Sequence, residues 1–288
     1  MPLVSVCIIT LGRDTLYRTL TTVFNQVTSF DFEVILILQW KLDLKLINRI
    51  NTKNIPYKIY SHKCWLWFGY YRNQAQKKSS WDILAWIDDD EWSISQQWLQ
   101  VITEPIRDLR YFVVTSGCYI ETGQWYLTDS ISSLWWPGWG SIGFEKMWTV
   151  YPNWTTNHLC SGNFAIKKLL QKEIGFLSEA IYGGEDNNLA KNLNSRRIPI
   201  FYEPNATLSH VSRDFKSSFV LWADRAKSFS SFTQKKSSYE EPLLFKFFRI
   251  LKNLFIFDRY LPWKIFFFTI KCWIFIVIFV KNKFVPNH

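Results

Sequence analysis

The run Ile83-Leu84-Ala85-Trp86-Ile87 stops abruptly at Asp88-Asp89-Asp90. Consecutive apolar residues without polar alternation suit a strand covered on both faces, as in the middle of a parallel sheet. Carboxylates crowded at that strand's C-terminal end repel one another, and the arrangement is costly unless a cation neutralises it. Asp88 and Asp90, with one residue between them, can both face a hard divalent ion such as Mg2+ or Mn2+. Such ions take oxygen ligands and usually complete their shell with substrate phosphates. A second acidic pair, Glu185-Asp186 in GGEDNNLAKNL, follows Gly183-Gly184 and opens a helical stretch. One of its carboxylates can project into the same cleft. A metal and phosphate clamp with a separate carboxylate base suits transfer from a nucleotide-linked donor.

The segments before the triplet alternate between strand and helix. Leu3 to Thr10 is almost continuously apolar, Leu11-Gly12-Arg13-Asp14 forms a turn, and Asp14 or Thr15 can cap a helix running to about Asn25. Phe32 to Leu38 repeats the strand signal, Lys41 to Asn51 the helical one, Tyr57 to Ser61 gives a third strand, and Gly69 to Ser79 is helical. This order predicts an α/β fold, a doubly wound and mostly parallel sheet with ligands at the carboxyl ends of its strands. Thr10, Gln39 and Asp88 fall at such ends. Further on, Gln96 to Leu109 looks helical, and Tyr111 to Tyr119 and Gln124 to Leu127 look like antiparallel strands. Residues 130–155 form a Trp- and Gly-rich loop, of a length that is usually functional. Ser161 to Ile166 returns to the sheet, Ile198 to Leu208 supplies short strands ending near His210, and 213–236 is helical.

The net charge of +10 invites a nucleic-acid partner, but its location argues against one. Residues 241–288 carry eight Lys/Arg against Glu241 and Asp258, a balance of +6, which leaves +4 for the first 240 residues. No zinc-finger or RNA-binding signature accompanies it. Basic charge set in an apolar, aromatic tail suits an anionic membrane surface. Leu243 to Phe257 places Lys246, Arg249 and Lys252 at three-residue spacing, an amphipathic basic helix. Ile265 to Val280 is apolar apart from Lys271. It falls short of the roughly 20 residues a span needs. In-plane or re-entrant association, a true span and a buried protein contact are all open to it. The five cysteines (Cys7, Cys64, Cys118, Cys160, Cys272) form no CxxC pair and point to reduced thiols on a cytosolic membrane face. With Pro2 leading straight into a strand, no signal peptide is expected. The expected division is a catalytic domain at 1–238 and a membrane-associating helical tail at 239–288.

VSVCIIT-x-x-R at the start, Arg72-Asn73, WIDDDEW, SGNFAIKK, GGEDNNL and a following lone His210 occur in this order. In these pieces the chain resembles the family 2 glycosyltransferases of the GT-A fold over about residues 3–230. IDDDE followed by Trp98-Leu99, then GGED, then EPNATLSHVSR, is most similar to the succinoglycan-type bacterial polysaccharide enzymes. The resemblance implies inverting transfer from a nucleoside-diphosphate sugar, with UDP-sugars favoured, to a glycan or lipid-linked acceptor. It places Asp88 near ribose and metal, Asp90 on the metal, and His210 as a further metal or phosphate ligand, with Mn2+ or Mg2+ as cofactor. Asp186 would be the general base, and Glu185 would orient it or the acceptor. Thr10, Arg13, Arg72 and Asp89 would bind the nucleotide sugar. Relatives usually place a carboxylate after the second strand to read the base. Here the strand ends Leu38-Gln39, so either Gln39 reads a uracil-like edge or base preference is relaxed. Trp135, Trp136, Trp139, Asn163 and Gly184 are expected on the acceptor side.

Plainer roles compete for each residue. An acidic triplet is often a solvated turn, GGED can be a Gly turn with a helix cap, a lone His is often structural, and Arg13 and Arg72 can be surface charges. The Trp cluster can simply pack under a long loop. Two other functions share these features: a nucleotidyltransferase, for which LGRD is too short a phosphate loop, and an inactive relative serving as a membrane-bound carbohydrate-binding or scaffold subunit.

Overall fold

The central feature of the computed structural model is an eight-stranded sheet, with strands β1 (Val4–Thr10), β2 (Phe32–Leu38), β3 (Tyr57–Ser61), β4 (Ile83–Ile87), β6 (Val113–Thr115), β8 (Thr155–Thr156), β9 (Asn163–Lys167) and β10 (Ile200–Tyr202). The described residues are 4–39, 54–62, 68–120, 130–131, 150–175, 185–212, 215–216, 218–220, 223 and 261–284. The order across the sheet is β3-β2-β1-β4-β9-β6-β10-β8. β3, β2, β1 and β4 run parallel, as do β6 and β10, whereas β9 lies antiparallel between β4 and β6. The α/β expectation therefore holds, with one refinement: SGNFAIKK re-enters the sheet against the direction of its neighbours. β5 (Glu91–Ser93), β11 (Leu208–His210) and β7 (Cys118–Ile120) make a separate three-stranded sheet in that spatial order. The expected strand Tyr111 to Tyr119 is thus two strands in two sheets, broken at Ser116-Gly117.

The helices are α1 (Thr15–Phe24), α2 (Phe68–Lys78), α3 (Trp98–Arg107), α4 (Lys168–Ile174), α5 (Glu185–Ser195) and α6 (Leu261–Phe284), with a 3-10 turn at Pro204–Ala206. β1, β2 and β4 are buried at every position. Alternate residues Cys7 and Ile9, Ile35 and Ile37, Leu84 and Trp86, and Phe164 and Ile166 form one face of the sheet. They pack with Tyr71 and Ala75 of α2 and with Leu189 and Leu193 of α5. Burying each such side chain contributes about 1.5–3 kcal/mol, so this shared core fixes α2 and α5, and the acidic motif at the start of α5, relative to β4. Asp14 stands at the N-terminus of α1 without a side-chain capping bond, and the Thr15 hydroxyl is buried without a partner. The expected cap is therefore not made. The turn instead rests on Gly12, at φ 79°, whose N–H donates to the Thr10 hydroxyl at 2.8 Å.

Contacts divide the chain into two units, 1–119 with 148–211, and 120–147 with 212–288. In the second, α6 runs for 24 residues and exposes Trp263, Phe266, Trp273 and Ile276, while Phe267 and Ile274 are buried. No helix among the described residues is long and apolar enough to cross a membrane. The expected helix at 41–51, the strand at 124–127, the basic helix at 243–257 and the 238/239 boundary lie outside the described residues.

Candidate active site

The strand register builds the site. Ile87, the last residue of β4, pairs with Asn163, the first of β9, so the acid triplet emerges beside the turn Cys160-Ser161-Gly162. Glu91 of β5 pairs with His210 of β11, which sets the His210 ring against the same triplet. His210 Nε2 lies 3.6 Å from Asp90 Oδ1, and its Nδ1 is 2.6 Å from the Val211 carbonyl oxygen. A carbonyl only accepts, so Nδ1 carries a proton, and Nε2 is left facing the Asp90 carboxylate.

The three aspartates are not equivalent. Asp89 turns back to β1: its Oδ2 accepts from the Thr10 hydroxyl at 2.6 Å and from the Leu11 N–H at 3.3 Å. Arg13 Nη1 reaches Asp90 Oδ2 at 2.8 Å and Asp89 Oδ1 at 3.3 Å. Thr19 of α1 donates its hydroxyl to the carbonyls of Asp89 and Glu91, holding the loop from behind. Asp88 points the other way, to Arg72 Nη2 at 3.3 Å, and keeps about a third of its side chain (34%) open to solvent.

Arg72 joins the two acidic motifs. It is 2% exposed, its Nε lies 3.2 Å from Glu185 Oε1, and its guanidinium carbon stands 5.0 Å from the centre of the Trp86 ring. Trp86 is itself held by stacking on Phe164 at 5.9 Å and by donating its indole N–H to Gln171 at 3.1 Å. Asp186, next to Glu185 in the first turn of α5, accepts the Asn187 N–H at 2.7 Å. Acids suit that position at a helix N-terminus.

Burial pushes the Asp89 carboxyl up to about 6, opposed by Arg13 and the Thr10 hydroxyl and reinforced by Asp90 and Asp88. Asp88 is likewise raised, by burial first, then by Asp90 and Glu185 against the pull of Arg72. A carboxyl raised on folding contributes stability that is complete below its unfolded value near 4 and is lost as pH rises through about 6; for Asp89 the swing is about 3 kcal/mol. Glu33 is lowered: its burial is outweighed by the Ser80 N–H, Lys58 and Ser5. Its contribution falls away only below the ordinary carboxylate range, outside this window. The metal-free chain is therefore expected to melt at a lower temperature at pH 7.5 than at pH 5. Mn2+ should raise the melting temperature more at pH 7.5, where the triplet is ionised. Scanning calorimetry at both pH values, with and without Mn2+, checks this; an equal Mn2+ effect would count against binding at the triplet.

The donor types suit a hard divalent ion, although the ligand atoms of Asp88, Asp90 and His210 do not all lie within 4.8 Å of one another. Asp88 and Asp90 offer carboxylate oxygens and His210 an imidazole nitrogen. Arg13 and Arg72 already supply positive charge to the triplet. Of the other expected site residues, Thr10 is buried, with its hydroxyl engaged by Asp89 and Gly12. Gln39 donates its backbone N–H to the Thr10 carbonyl at 2.9 Å and leaves its buried Oε1 without a hydrogen bond. Asn163 is fully buried and has its amide spent inside the fold: Nδ2 donates to the Gly117 and Ala206 carbonyls at 2.8 and 2.9 Å, and Oδ1 accepts from Trp98 Nε1 at 3.0 Å. It ties the two sheets together and presents nothing to an acceptor. Trp135, Trp136, Trp139 and Gly184 lie outside the described residues.

Sequence reasoning passed over Glu91 and Thr19, which pack behind the triplet. Glu91 was visible in WIDDDEW, but only the fold reveals that it turns inward, whereas Thr19 carries no signal in the sequence.

Residues 5–175, more than half of the chain, match the family model described as glycosyl transferase family 2. The chain is similar in structure to the mannosyltransferase PcManGT from Pyrobaculum calidifontis, solved in complex with GDP-Man and Mn2+. The TM-score is 0.64 and the identity 13%, over 99% of this chain and 88% of that one. It also resembles GalNAc-T7, solved with UDP, GalNAc and Mn2+, with a TM-score of 0.59 and 15% identity, over 94% of this chain and 57% of the other. S. aureus TarS follows, with a TM-score of 0.54 and 15% identity, over 90% of this chain and 44% of the other. No curated protein matches the chain. With the family match running from β1 through β9 and the acid triplet at the carboxyl end of β4, the chain belongs to the family 2 glycosyl transferases.

Proposed function

We propose that the chain is a metal-dependent inverting glycosyltransferase of the hexosyltransferase class. It would move one sugar from a nucleoside-diphosphate sugar, uridine donors first, to a hydroxyl of a glycan or lipid-linked acceptor. The observation that carries this reading is Arg72, which holds Asp88 of the triplet and Glu185 of the GGED motif on one guanidinium. Two acidic motifs far apart in sequence thereby share one site. Asp88, Asp90 and His210 would hold Mn2+ or Mg2+, and the structural neighbours solved with Mn2+ support a divalent ion. When bound, the ion offsets the negative charge that gathers on the departing diphosphate. Asp186 takes the proton of the acceptor hydroxyl, and a base opposite the leaving group accounts for inversion. Arg13, half-exposed beside Asp90, is placed to follow the diphosphate once an ion takes its place at the carboxylates. A role in succinoglycan-like polysaccharide synthesis rests on the sequence resemblance.

Calorimetric titration of the chain with UDP, GDP and dTDP, with and without Mn2+, tests the reading. Binding of one nucleotide only with Mn2+ is the expected result. Binding of none would shift the assignment to an inactive carbohydrate-binding relative, and preference for a nucleoside triphosphate would shift it to a nucleotidyltransferase.

We also infer peripheral attachment to a cytoplasmic membrane face through 241–288. The basic charge of that segment and the exposed Trp263, Phe266, Trp273 and Ile276 of α6 support it. In flotation with anionic vesicles the full chain should rise with lipid and a chain ending at 240 should stay behind; equal flotation of both would remove the tail from this role.

A further inference from the structure

Next to the triplet lies a second group of metal-ligating atoms, with Glu91 accepting the Asp88 N–H. We propose that Glu91, Cys118 and Cys160 form a buried site for a thiophilic divalent cation of the Zn2+ class, which fastens the three-stranded sheet to the main sheet beneath the acid triplet. One ligand atom from each of the three residues lies within 4.8 Å of the other two, and all three residues are buried. Glu91 Oε1 and Cys118 Sγ are 3.1 Å apart. In a tetrahedral zinc site, with zinc–sulfur near 2.3 Å and zinc–oxygen near 2.1 Å, a sulfur and an oxygen ligand stand about 3.6 Å apart and two sulfurs about 3.8 Å. The Glu91–Cys118 pair therefore needs to open by about half an ångström to take the ion, and the other two pairs lie within 4.8 Å. The two thiols are a soft donor pair that selects zinc-like ions over Mg2+ or Mn2+, which sets this site apart from the all-oxygen and imidazole donors of the triplet.

Two further observations point to a cation here. Glu91 is 2% exposed, and its hydrogen-bond partners are the Cys118 thiol and the Asp88 N–H; among the described residues no Lys, Arg or His pairs with it. A carboxylate buried without a cation is costly. Asp88, Asp89, Asp90 and Glu185, by contrast, each have an arginine. Gly162 is also pressed against the Glu91 carboxyl group, so that a Cβ there would fall 2.3 Å from Oε2. The backbone is thus shaped to this carboxylate's position. The topology gives the ion a role: Glu91 opens β5, Cys118 opens β7, and Cys160 lies three residues before β9. β5 and β7 belong to the three-stranded sheet and β9 to the main one, and β5 follows Asp90 directly. Three protein ligands leave a fourth position for water or a backbone carbonyl.

The inference does not depend on the nucleotide-sugar reading, and its test needs no activity. The full chain, reduced and stripped with chelator, is titrated with Co2+ in excess Mg2+. One equivalent is expected to bind with a sulfur-to-cobalt charge-transfer band and the visible bands of four-coordinate cobalt. The band should be lost in C118S and in C160S and kept in Asp90→Asn. Zn2+ should displace the Co2+ and raise the melting temperature of the wild-type chain. If a serine variant fails to fold, the wild-type spectrum still decides. Co2+ binding without a thiolate band would overturn the proposal, as would a band unchanged in both serine variants or a native Cys118–Cys160 disulfide found by mass spectrometry.

Discussion

Replacing Asp186 with Asn is expected to lower turnover by about 10²–10⁴-fold, the usual contribution of a general base, while metal-dependent nucleotide binding stays unchanged. The two effects separate because of where the residue sits. Asn keeps the shape of Asp and an oxygen that can still accept the Asn187 N–H, so the first turn of α5 is preserved. On the proposed reading it loses the capacity to take a proton from the acceptor hydroxyl, along with the negative charge that Asp186 sets against Arg72. Glu185 next door is a different case. It is buried and paired with Arg72 at 3.2 Å, so Glu185→Gln disturbs the charge balance on which Asp88 depends and should weaken nucleotide binding along with turnover. Steady-state rates and nucleotide titrations on both variants distinguish the two residues. Equal loss of binding and turnover in Asp186→Asn would make Asp186 a donor or metal ligand and leave the base unassigned.

The parts of this molecule legible in its sequence are those where one local pattern has one structural meaning. Val4–Thr10 and Phe32–Leu38 are mostly apolar runs, Ile83–Ile87 is wholly so, and each is a buried strand of the parallel half. The triplet follows the last of them, and the acids of GGED open α5. What escaped the sequence is set by pairing between distant strands. The antiparallel entry of β9 leaves no trace in SGNFAIKK, because a strand buried on both faces looks the same in either direction. Asn163 looks polar and available in sequence, yet the junction of the two sheets needs an amide to satisfy Gly117 and Ala206 at once. Similarly, Glu91 reads as one more acid of the cluster. Only its cross-strand partner, His210, fixes which way β5 turns and sends its carboxylate inward to the two cysteines.

Arg72→Ala should destabilise the metal-free chain by about 3–5 kcal/mol, the range found when one member of a buried ion pair is removed. A surface pair would contribute no more than about 1 kcal/mol, so the magnitude tells which kind Arg72 makes. Its side chain is 3% exposed, Glu185 is 8% exposed at the other end of the bond, and the variant leaves both Glu185 and Asp88 without their cation. It also uncovers the face of Trp86 that the guanidinium covers. Lysine is a poor substitute, because a single ammonium cannot span two carboxylates as the planar fork does; Arg72→Lys should recover only part of the loss. Metal offers a further discrimination. Mn2+, if it binds at Asp88 and Asp90 as proposed, would replace the lost charge on the triplet but leave Glu185 uncompensated. Mn2+ should therefore stabilise Arg72→Ala more than it stabilises the wild type, without closing the gap. Urea denaturation of the wild type and both variants, each with and without Mn2+, measures these differences. A loss below about 1 kcal/mol in Arg72→Ala would mean that the two acidic motifs are held together by the packing of α2 and α5 alone.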